Sequence, residues 1–340
     1  IIIPLGGIGS RFKKKGYKYP KALIKVFGKP ILYYLLDNLN LQHVTKVFIP
    51  YNREYSDFRF ESQLMKDYPN IDFVFHKLEK DTRGAAETIN IILKSVLTDS
   101  PVMCLDGDNF YSCDIIKLWD HKNCVFTFTD TQSNPIYSYI DCDQNGNINN
   151  IVEKEKISNK ACTGAYGFAS SLQLLEYTQK IIDLGIMQKG EFYTSTVIKE
   201  MISQNIDFKT TNIAIEDWHC LGTPLQIKHF CNNFPCKTIN GQINIHPIRI
   251  CFDLDNTLVT YPSVSRDYET VQPIHKNIEF LKYLKTFGHT IIIYTARRMK
   301  THDGNVGKLM KDIAKITFET LDKFQIPYDE IYFGKPHANV

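Results

Sequence analysis

Three clusters in this chain combine residue types and spacings suited to phosphate chemistry. In the first, Pro4-Leu5-Gly6-Gly7-Ile8-Gly9-Ser10-Arg11-Phe12 follows directly on the apolar run Ile1-Ile2-Ile3, and Pro20-Lys21-Ala22-Leu23 comes shortly after. Glycines at 6, 7 and 9 let the chain turn sharply and bring bare backbone N–H groups up to an anion, since no Cβ stands in the way. Arg11 and Lys21 add fixed positive charge. A buried strand, a glycine-rich loop and two cations make a cradle for a nucleoside triphosphate. The loop lacks the closing Gly-Lys-Ser/Thr of a P-loop, and its glycines do not fit G-x-G-x-x-G. In the second cluster, Asp106-Gly107-Asp108-Asn109 follows the apolar run Val102–Leu105, at the strand end where open α/β sheets place their ligands. Phosphates held there need a divalent cation, and hard carboxylate oxygens suit Mg²⁺. In the third, Asp253 and Asp255 stand two residues apart after the apolar run Ile248–Phe252, a spacing that lets two carboxylates divide labour.

The run G-G-x-G-S-R-F, a short basic stretch, then P-K-x-L-I and G-K-P-I-L resembles the N-terminal signature of the nucleotidylyltransferases that make NDP-sugars and NDP-alcohols. The resemblance implies that Leu5, Gly6, Gly7, Gly9, Ser10, Arg11 and Lys21 bind the nucleotide, with Arg11 and Lys21 catalytic. It implies that Asp108 holds the metal, with Asp106 assisting and lying on the acceptor side. Lys80-Asp81-Thr82-Arg83-Gly84-Ala85-Ala86 is similar to the family's base-holding stretch and adds Thr82, Gly84 and Ala85. Val152-Glu153-Lys154 resembles the E-K pair whose lysine reaches the acceptor phosphate. Gly164-Ala165-Tyr166-Gly167-Phe168 is similar to the strand that walls the acceptor pocket. In Gly190-Glu191-Phe192-Tyr193-Thr194-Ser195, Glu191 would accept hydrogen bonds from acceptor hydroxyls. Trp218-His219-Cys220-Leu221-Gly222-Thr223-Pro224 resembles W-x-D-x-G-T-P, with Cys220 in the place of an aspartate that completes the metal site. A thiol is a poor Mg²⁺ ligand. Asp217 or a water would then substitute, or Asp108 and the triphosphate would hold the metal alone.

Ile250-Cys251-Phe252-Asp253-Leu254-Asp255-Asn256-Thr257 resembles the first motif, D-x-D-x-T, of the haloacid dehalogenase superfamily. The resemblance implies that Asp253 is a nucleophile forming an aspartyl-phosphate and Asp255 the acid and base, both beside Mg²⁺. Ile291–Arg297 ends like the second motif, where Thr295 would bind a phosphoryl oxygen. Gly334-Lys335-Pro336 looks like the third, with Lys335 neutralising nucleophile and phosphate. The short segment between the first two motifs leaves no room for a large cap. No acidic fourth motif precedes Val340, which implies a truncated or disordered C-terminus and calls phosphatase activity of the polypeptide as written into question.

The elements that must position these groups alternate between strand and helix patterns, which predicts an α/β fold with a mixed, mostly parallel sheet. Helices are expected over Ile31–Leu39, Glu61–Tyr68 and Glu87–Val96, and strands over Lys46–Pro50, Ile71–His76, Val102–Leu105 and Ile248–Phe252. The pattern restarts around Gln242–Pro247, giving a nucleotidyltransferase domain over 1–240 and a small phosphatase-like α/β domain with minimal cap over 247–340. Asp141, Asp143, Asn145 and Gly146 open like a calcium loop, but its twelfth position would be Val152 rather than a glutamate, so a hairpin turn at Asn145-Gly146 is expected instead.

A length of 340 residues suits two domains, and 43% hydrophobic with 23% charged residues is ordinary for globular chains. A formal charge of +3, with no basic block beyond Lys13-Lys14-Lys15, gives no footprint for nucleic acid. No apolar run approaches a membrane span and no signal-peptide pattern is present. Nine irregularly spaced cysteines without a C-x-x-C pair fit reduced thiols in a cytoplasm. The chain opens inside a strand without methionine, so a trimmed N-terminus is expected. Together the two resemblances imply a bifunctional enzyme of surface-polysaccharide precursor synthesis. It would join an NTP, CTP favoured, to a small sugar or polyol phosphate and also hydrolyse a phosphomonoester. The alternatives are a glycosyltransferase-like domain binding an NDP-sugar and a regulatory nucleotide-binding module. Oligomeric state is left open, a homo-oligomer included.

Overall fold

The computed structural model describes residues 1–96, 98–233 and 247–336. The chain divides into two compact units, Ile1–Val26 with Pro30–Asn244 and Phe27–Lys29 with Ile245–Val340. The expected linker, apart from Pro247, lies outside the described residues, as does everything after Pro336.

The first unit is organised on its N-terminal segment. Ile2 and Ile3 are fully buried, and the β-branched run hydrogen-bonds on both sides at once. The Ile2 amide donates to Met103 O and the Ile3 amide to Phe48 O, both backbone contacts under 3 Å, while Leu5 reaches Pro50 O. The strands Val47–Asn52 and Phe73–Leu78 continue the sheet on one side, parallel in register from Val47↔Phe73 to Asn52↔Leu78. Val102–Leu105 flanks it on the other, through a parallel bridge between Ile2 and Cys104.

Beyond Val102–Leu105 the direction reverses. Lys160–Phe168 pairs antiparallel with Val102–Leu105, with Cys124–Thr129 and with Ser138–Cys142. Lys209–Asn212 closes the edge, parallel to Cys124–Thr129. The sheet is therefore mixed, as expected, but not mostly parallel, a correction to that part of the expectation. Its reason is local: the segment after Cys124–Thr129 returns through the hairpin Ser138–Cys142 and Ile148–Glu153 instead of crossing over by a helix. At the hairpin tip Asp143 accepts from the amides of Asn145 and Asn147, both at 2.8 Å, and Gly146 takes a positive φ of 80°. The calcium-like spacing is a turn.

The predicted helices form with shifted ends, at Ile31–Asp37, Phe60–Asp67 and Ala85–Leu93. Ala85–Leu93 packs with Ser171–Asp183 and Thr194–Ser203 over the sheet. Ile89, Ile92, Leu174, Ile181, Val197 and Phe208 join Ile2 and Val125 in one core cluster there. Val102–Leu105 forms as read, and its four residues are all buried.

In the second unit, Arg249–Phe252, Thr290–Thr295 and Glu330–Phe333 make a three-stranded parallel sheet in that order. The helix Val306–Lys323 buries Leu309, Ile313, Thr317 and Leu321, a stripe at fourfold spacing along one face. Asn305 caps it, its side chain accepting from the Lys308 amide at 3.0 Å. The eight cysteines among the described residues are free thiols, and no helix there is long and apolar enough to cross a membrane.

Candidate active site

The carboxyl ends of the parallel strands in the first unit open into a cleft of about 1080 Å³. It is lined by the glycine loop, by Arg11 and Lys21, by Asp106 and Asp108, by Thr82, Gly84 and Ala85, and by Lys154, Gly164 and Glu191. Fifteen of the expected site residues, up to 186 residues apart in sequence, thus line one cleft.

The loop reaches along the cleft. At its start, a Cβ on Gly6 would lie 2.3 Å from Thr88 Oγ1 and 2.6 Å from Thr82 Oγ1. At its end, Gly9 adopts φ +64° and its Cβ position is 3.3 Å from Lys21 Cβ. Glycine at 6 lets the loop lie against Thr82 and Thr88, and glycine at 9 supplies the left-handed turn. Arg11 is exposed beside the loop.

Lys21 forms an ion pair with Asp108. Burial works against its charge, but Asp108 first, then Cys220 and Asp106, hold the ammonium above its ordinary pKa. Burial, then the Asp108 charge, pushes the Asp106 carboxyl upward against the pull of Lys21. Two carboxylates and one lysine therefore share a small volume, with one anion in excess, and a bound cation would relieve it. Room is kept open around Asp108, because a Cβ on Gly222 would stand 2.4 Å from its Oδ2. Among the described residues no three His, Cys, Asp or Glu side chains gather as a metal cage. Two carboxylates beside a triphosphate-sized cleft fit Mg²⁺, which completes its shell with phosphate oxygens and water.

Cys220 lines the same cleft. Burial, with Asp108 next, raises its thiol to about 12, so it stays neutral. Asp217 does not line the cleft. Its carboxylate accepts from Ser112 Oγ at 2.7 Å, and its carbonyl accepts the Ser112 amide. It precedes the strand Trp218–Cys220, which pairs antiparallel with Asn109–Tyr111 and turns Cys220, not Asp217, toward Asp108. The expectation that Asp217 substitutes at the metal is corrected on that geometry.

On the acceptor side, Lys154 Nζ donates to Tyr193 Oη at 2.6 Å and lies 3.5 Å from Glu153. Burial opposes its charge, while Tyr193 and then Glu153 hold its pKa above the ordinary value. Glu153 is buried and accepts from Ser138 and from Ser195 Oγ, the latter at 3.1 Å. Gly164 takes φ +87°, and a Cβ there would meet Asp106 Oδ2 and Asn109 Nδ2, each at 2.5 Å. It sits where the register of Lys160–Phe168 shifts between Cys162 and Tyr166, a bulge that lets backbone approach Asp106. The Asp106 amide bonds Gly164 O at 2.8 Å. Sequence reasoning missed Asn52 and Thr88, which carry no motif of their own, and gave no role to Asp81, Tyr193 and Ser195 inside the motifs it quoted. Asn52 was findable only as the residue capping the strand end.

In the second unit the expected residues also meet at strand ends. Lys335 Nζ is 2.6 Å from Asp253 Oδ2, and the Lys335 amide bonds Thr295 O at 3.1 Å. Thr295 is fully buried, and its Oγ accepts the Arg297 amide at 3.2 Å. Asp255 is gripped by the buried Arg297, whose Nε lies 3.0 Å from both carboxylate oxygens. The guanidinium stacks on Tyr268, 4.6 Å from its centroid. Sequence reasoning did not foresee this pairing, since Asp255 and Arg297 are 42 residues apart.

Residues 1–227 match the nucleotidyl transferase family. The chain belongs to that family. Its curated relatives include the bifunctional protein GlmU of Methanococcus maripaludis, 24% identical over 254 residues, covering 71% of this chain and 56% of the relative. The D-glycero-alpha-D-manno-heptose 1-phosphate guanylyltransferase of Campylobacter jejuni is 28% identical over 130 residues, 36% of this chain and 55% of the relative. The chain spans about half the length of the curated relatives it matches. Among solved structures, a nucleoside-diphosphate-sugar pyrophosphorylase from Vibrio cholerae aligns with a TM-score of 0.60 at 20% identity, over 68% of this chain and all of that one. An inositol-1-phosphate CTP transferase from T. maritima aligns at 0.54 and 14% identity, over 66% of this chain and 89% of that one. Both likenesses show the fold of the first unit's family member. The family match ends before the second unit's strands begin.

Proposed function

We propose that the first unit transfers a nucleotidyl group from an NTP to the phosphate of a small sugar or polyol phosphate. The observation that carries this reading is the single cleft joining the glycine loop, Lys21, the Asp106 and Asp108 pair and Lys154. An acceptor phosphate oxygen bonds to the α-phosphorus while the bond to the β-phosphate bridging oxygen breaks, releasing pyrophosphate. The glycine-loop amides, Arg11 and Lys21 bind the triphosphate and neutralise charge on the departing pyrophosphate. Lys154, held by Tyr193, binds the acceptor phosphate and orients it for attack. Glu191 receives acceptor hydroxyls. Asp108 and Asp106 would hold Mg²⁺, which supplies charge neutralisation between phosphates when bound.

CTP is the nucleotide favoured by the compact transferase region, and the Campylobacter relative, named for guanylyl transfer, makes GTP the next. The product would be an activated precursor for a surface polysaccharide. A matrix of four NTPs against sugar and polyol phosphates, read by pyrophosphate release, tests the proposal. Release from one pairing supports it. Consumption of an NDP-sugar as donor, with no pyrophosphate from any NTP, would place the cleft among glycosyltransferase-like binders.

A second reading belongs to the second unit and rests on the Asp253–Lys335 contact at the strand ends beside Thr295. Asp253 would attack a phosphomonoester, with Lys335 compensating its charge and Asp255 serving as acid and base. Mg²⁺ would sit at Asp253 and Asp255, the latter already held by Arg297.

A further inference from the structure

We propose that Asp81 selects the nucleobase: the cleft takes a base that offers an exocyclic amine to this carboxylate and turns away uracil and thymine. The inference rests on the transferase reading above. Asp81 lines the cleft between the strand Phe73–Leu78 and the helix Ala85–Leu93, next to Thr82 and Gly84. Its orientation is fixed from behind. Asn52, buried at 2% exposure, donates through Nδ2 to Asp81 Oδ1 at 2.8 Å. The same Nδ2 reaches Gly6 O at 3.4 Å, and Asn52 Oδ1 accepts the Glu54 amide at 3.1 Å. That last bond requires oxygen on the Glu54 side, so the amide hydrogens must face Asp81. No cation pairs with Asp81 among the described residues, and its Oδ2 has no partner there.

Position along the loop decides what such a group can meet. Lys21 stands against Gly9 at one end, while Thr82 and Thr88 stand against Gly6 at the other. An uncompensated carboxylate beside Gly6 repels a triphosphate, so the nucleoside end of the ligand lies there. An ionised carboxylate only accepts hydrogen bonds. Cytosine, adenine and guanine each carry an exocyclic amine that can donate to it, and guanine adds a ring N–H beside that amine. Uracil and thymine offer one ring N–H flanked by two carbonyl oxygens, which meet the carboxylate acceptor to acceptor. Charge-assisted bonds are strong enough to make this a selection rather than a bias.

The test uses the full chain with the best acceptor phosphate from the matrix. Values of kcat/KM are compared for CTP, GTP, ATP, UTP and dTTP, with dCTP and dGTP as sugar controls, in wild type, Asp81→Asn and Asp81→Ser. Wild type is expected to favour one amine-bearing base over UTP and dTTP by about 10²-fold. Asp81→Asn, which replaces an acceptor by an amide that can donate, should narrow that ratio at least about tenfold, with Asp81→Ser narrowing it by loss of the bond alone. The proposal is overturned if UTP or dTTP is the best substrate of wild type, or if both variants keep the wild-type ratio of the amine-bearing base to UTP and dTTP. It is also overturned if they change only the ratio of ribo- to deoxyribonucleotide, since the carboxylate would then read the sugar. If no nucleotide gives pyrophosphate, the transferase reading falls and takes this inference with it.

Discussion

At the scale of single residues, the cleft is defined as much by missing side chains as by charged ones. Gly222 leaves Asp108 its place: a Cβ there would lie 2.4 Å from Asp108 Oδ2 and 3.4 Å from Cys220 Sγ. The colliding atom is the end of a side chain, so the fold can accommodate alanine by swinging the carboxylate away. Gly222→Ala is therefore expected to leave thermal stability nearly unchanged while lowering kcat/KM for pyrophosphate release about 10²-fold, the cost of a misplaced group. Parallel melting curves and turnover assays separate the two effects, and an equal loss of both would deny that Asp108 is the group disturbed. Lys21 shows the same economy from the other side. Its ammonium sits on Asp108 and meets additional negative charge from Asp106, so the lysine is held charged and aimed into the cleft before any phosphate arrives.

At the scale of elements, two strands do most of the positioning. In Lys160–Phe168 the bulge at Gly164 brings backbone against Asp106, while Tyr166 continues along the cleft wall. In Trp218–Cys220 the alternation of a strand sends Trp218 and Cys220 to the cleft and His219 to the opposite side, stacked on Phe110 with centroids 4.6 Å apart. His219 Nε2 is buried without a hydrogen-bond partner among the described residues. Burial lowers its pKa to about 4, against a partial lift from Asp217. The unfolded chain binds a proton at this residue near pH 6.5, and the folded one only near 4. Between these values the unfolded state holds more protons, so stability is full above about pH 6.5 and declines as pH falls toward 4. Asp106, raised in the fold, acts with the opposite sign over an overlapping range. His219→Phe, which keeps the ring stack, should remove the histidine's share. Denaturant melts between pH 7 and 4 are expected to show a shallower decline in the variant, and parallel curves would mean that the ring is not buried neutral.

At the scale of the whole molecule, motif order alone grouped residues that the fold brings to one cleft, some just past strand ends, as Asp108 and Lys154 are, and others off the sheet, Lys21 in a short helix and Glu191 in the turn before Thr194–Ser203. Lys21, Asp108, Lys154 and Glu191 were found that way. Asp81 was not, since its meaning depends on a buried Asn52 that only the pairing of Val47–Asn52 with Phe73–Leu78 brings beside it. Of the antiparallel half of the sheet only the turn at Asn145-Gly146 was legible, and the same limit left Asp217 among the candidate metal ligands, since its partner Ser112 is 105 residues away. Each unit gathers its own pair of opposite charges at its proposed site, with no residue common to both: Lys21 and Asp108 in one, Asp253 and Lys335 in the other. The proposed activities should therefore be separable by point substitution in the full chain. Asp108→Ala is expected to cut pyrophosphate release by about 10²-fold or more and to leave hydrolysis of a phosphomonoester such as p-nitrophenyl phosphate unchanged. Asp253→Asn should do the reverse, removing the nucleophile while sparing nucleotidyl transfer. Chelation of divalent cations should suppress both together, because hard carboxylates serve each site. Were Asp108→Ala to leave pyrophosphate release intact, the first unit's catalytic centre would have to be sought away from this cleft; were Asp253→Asn to leave phosphate release intact, the contact between Asp253 and Lys335 would be structural only.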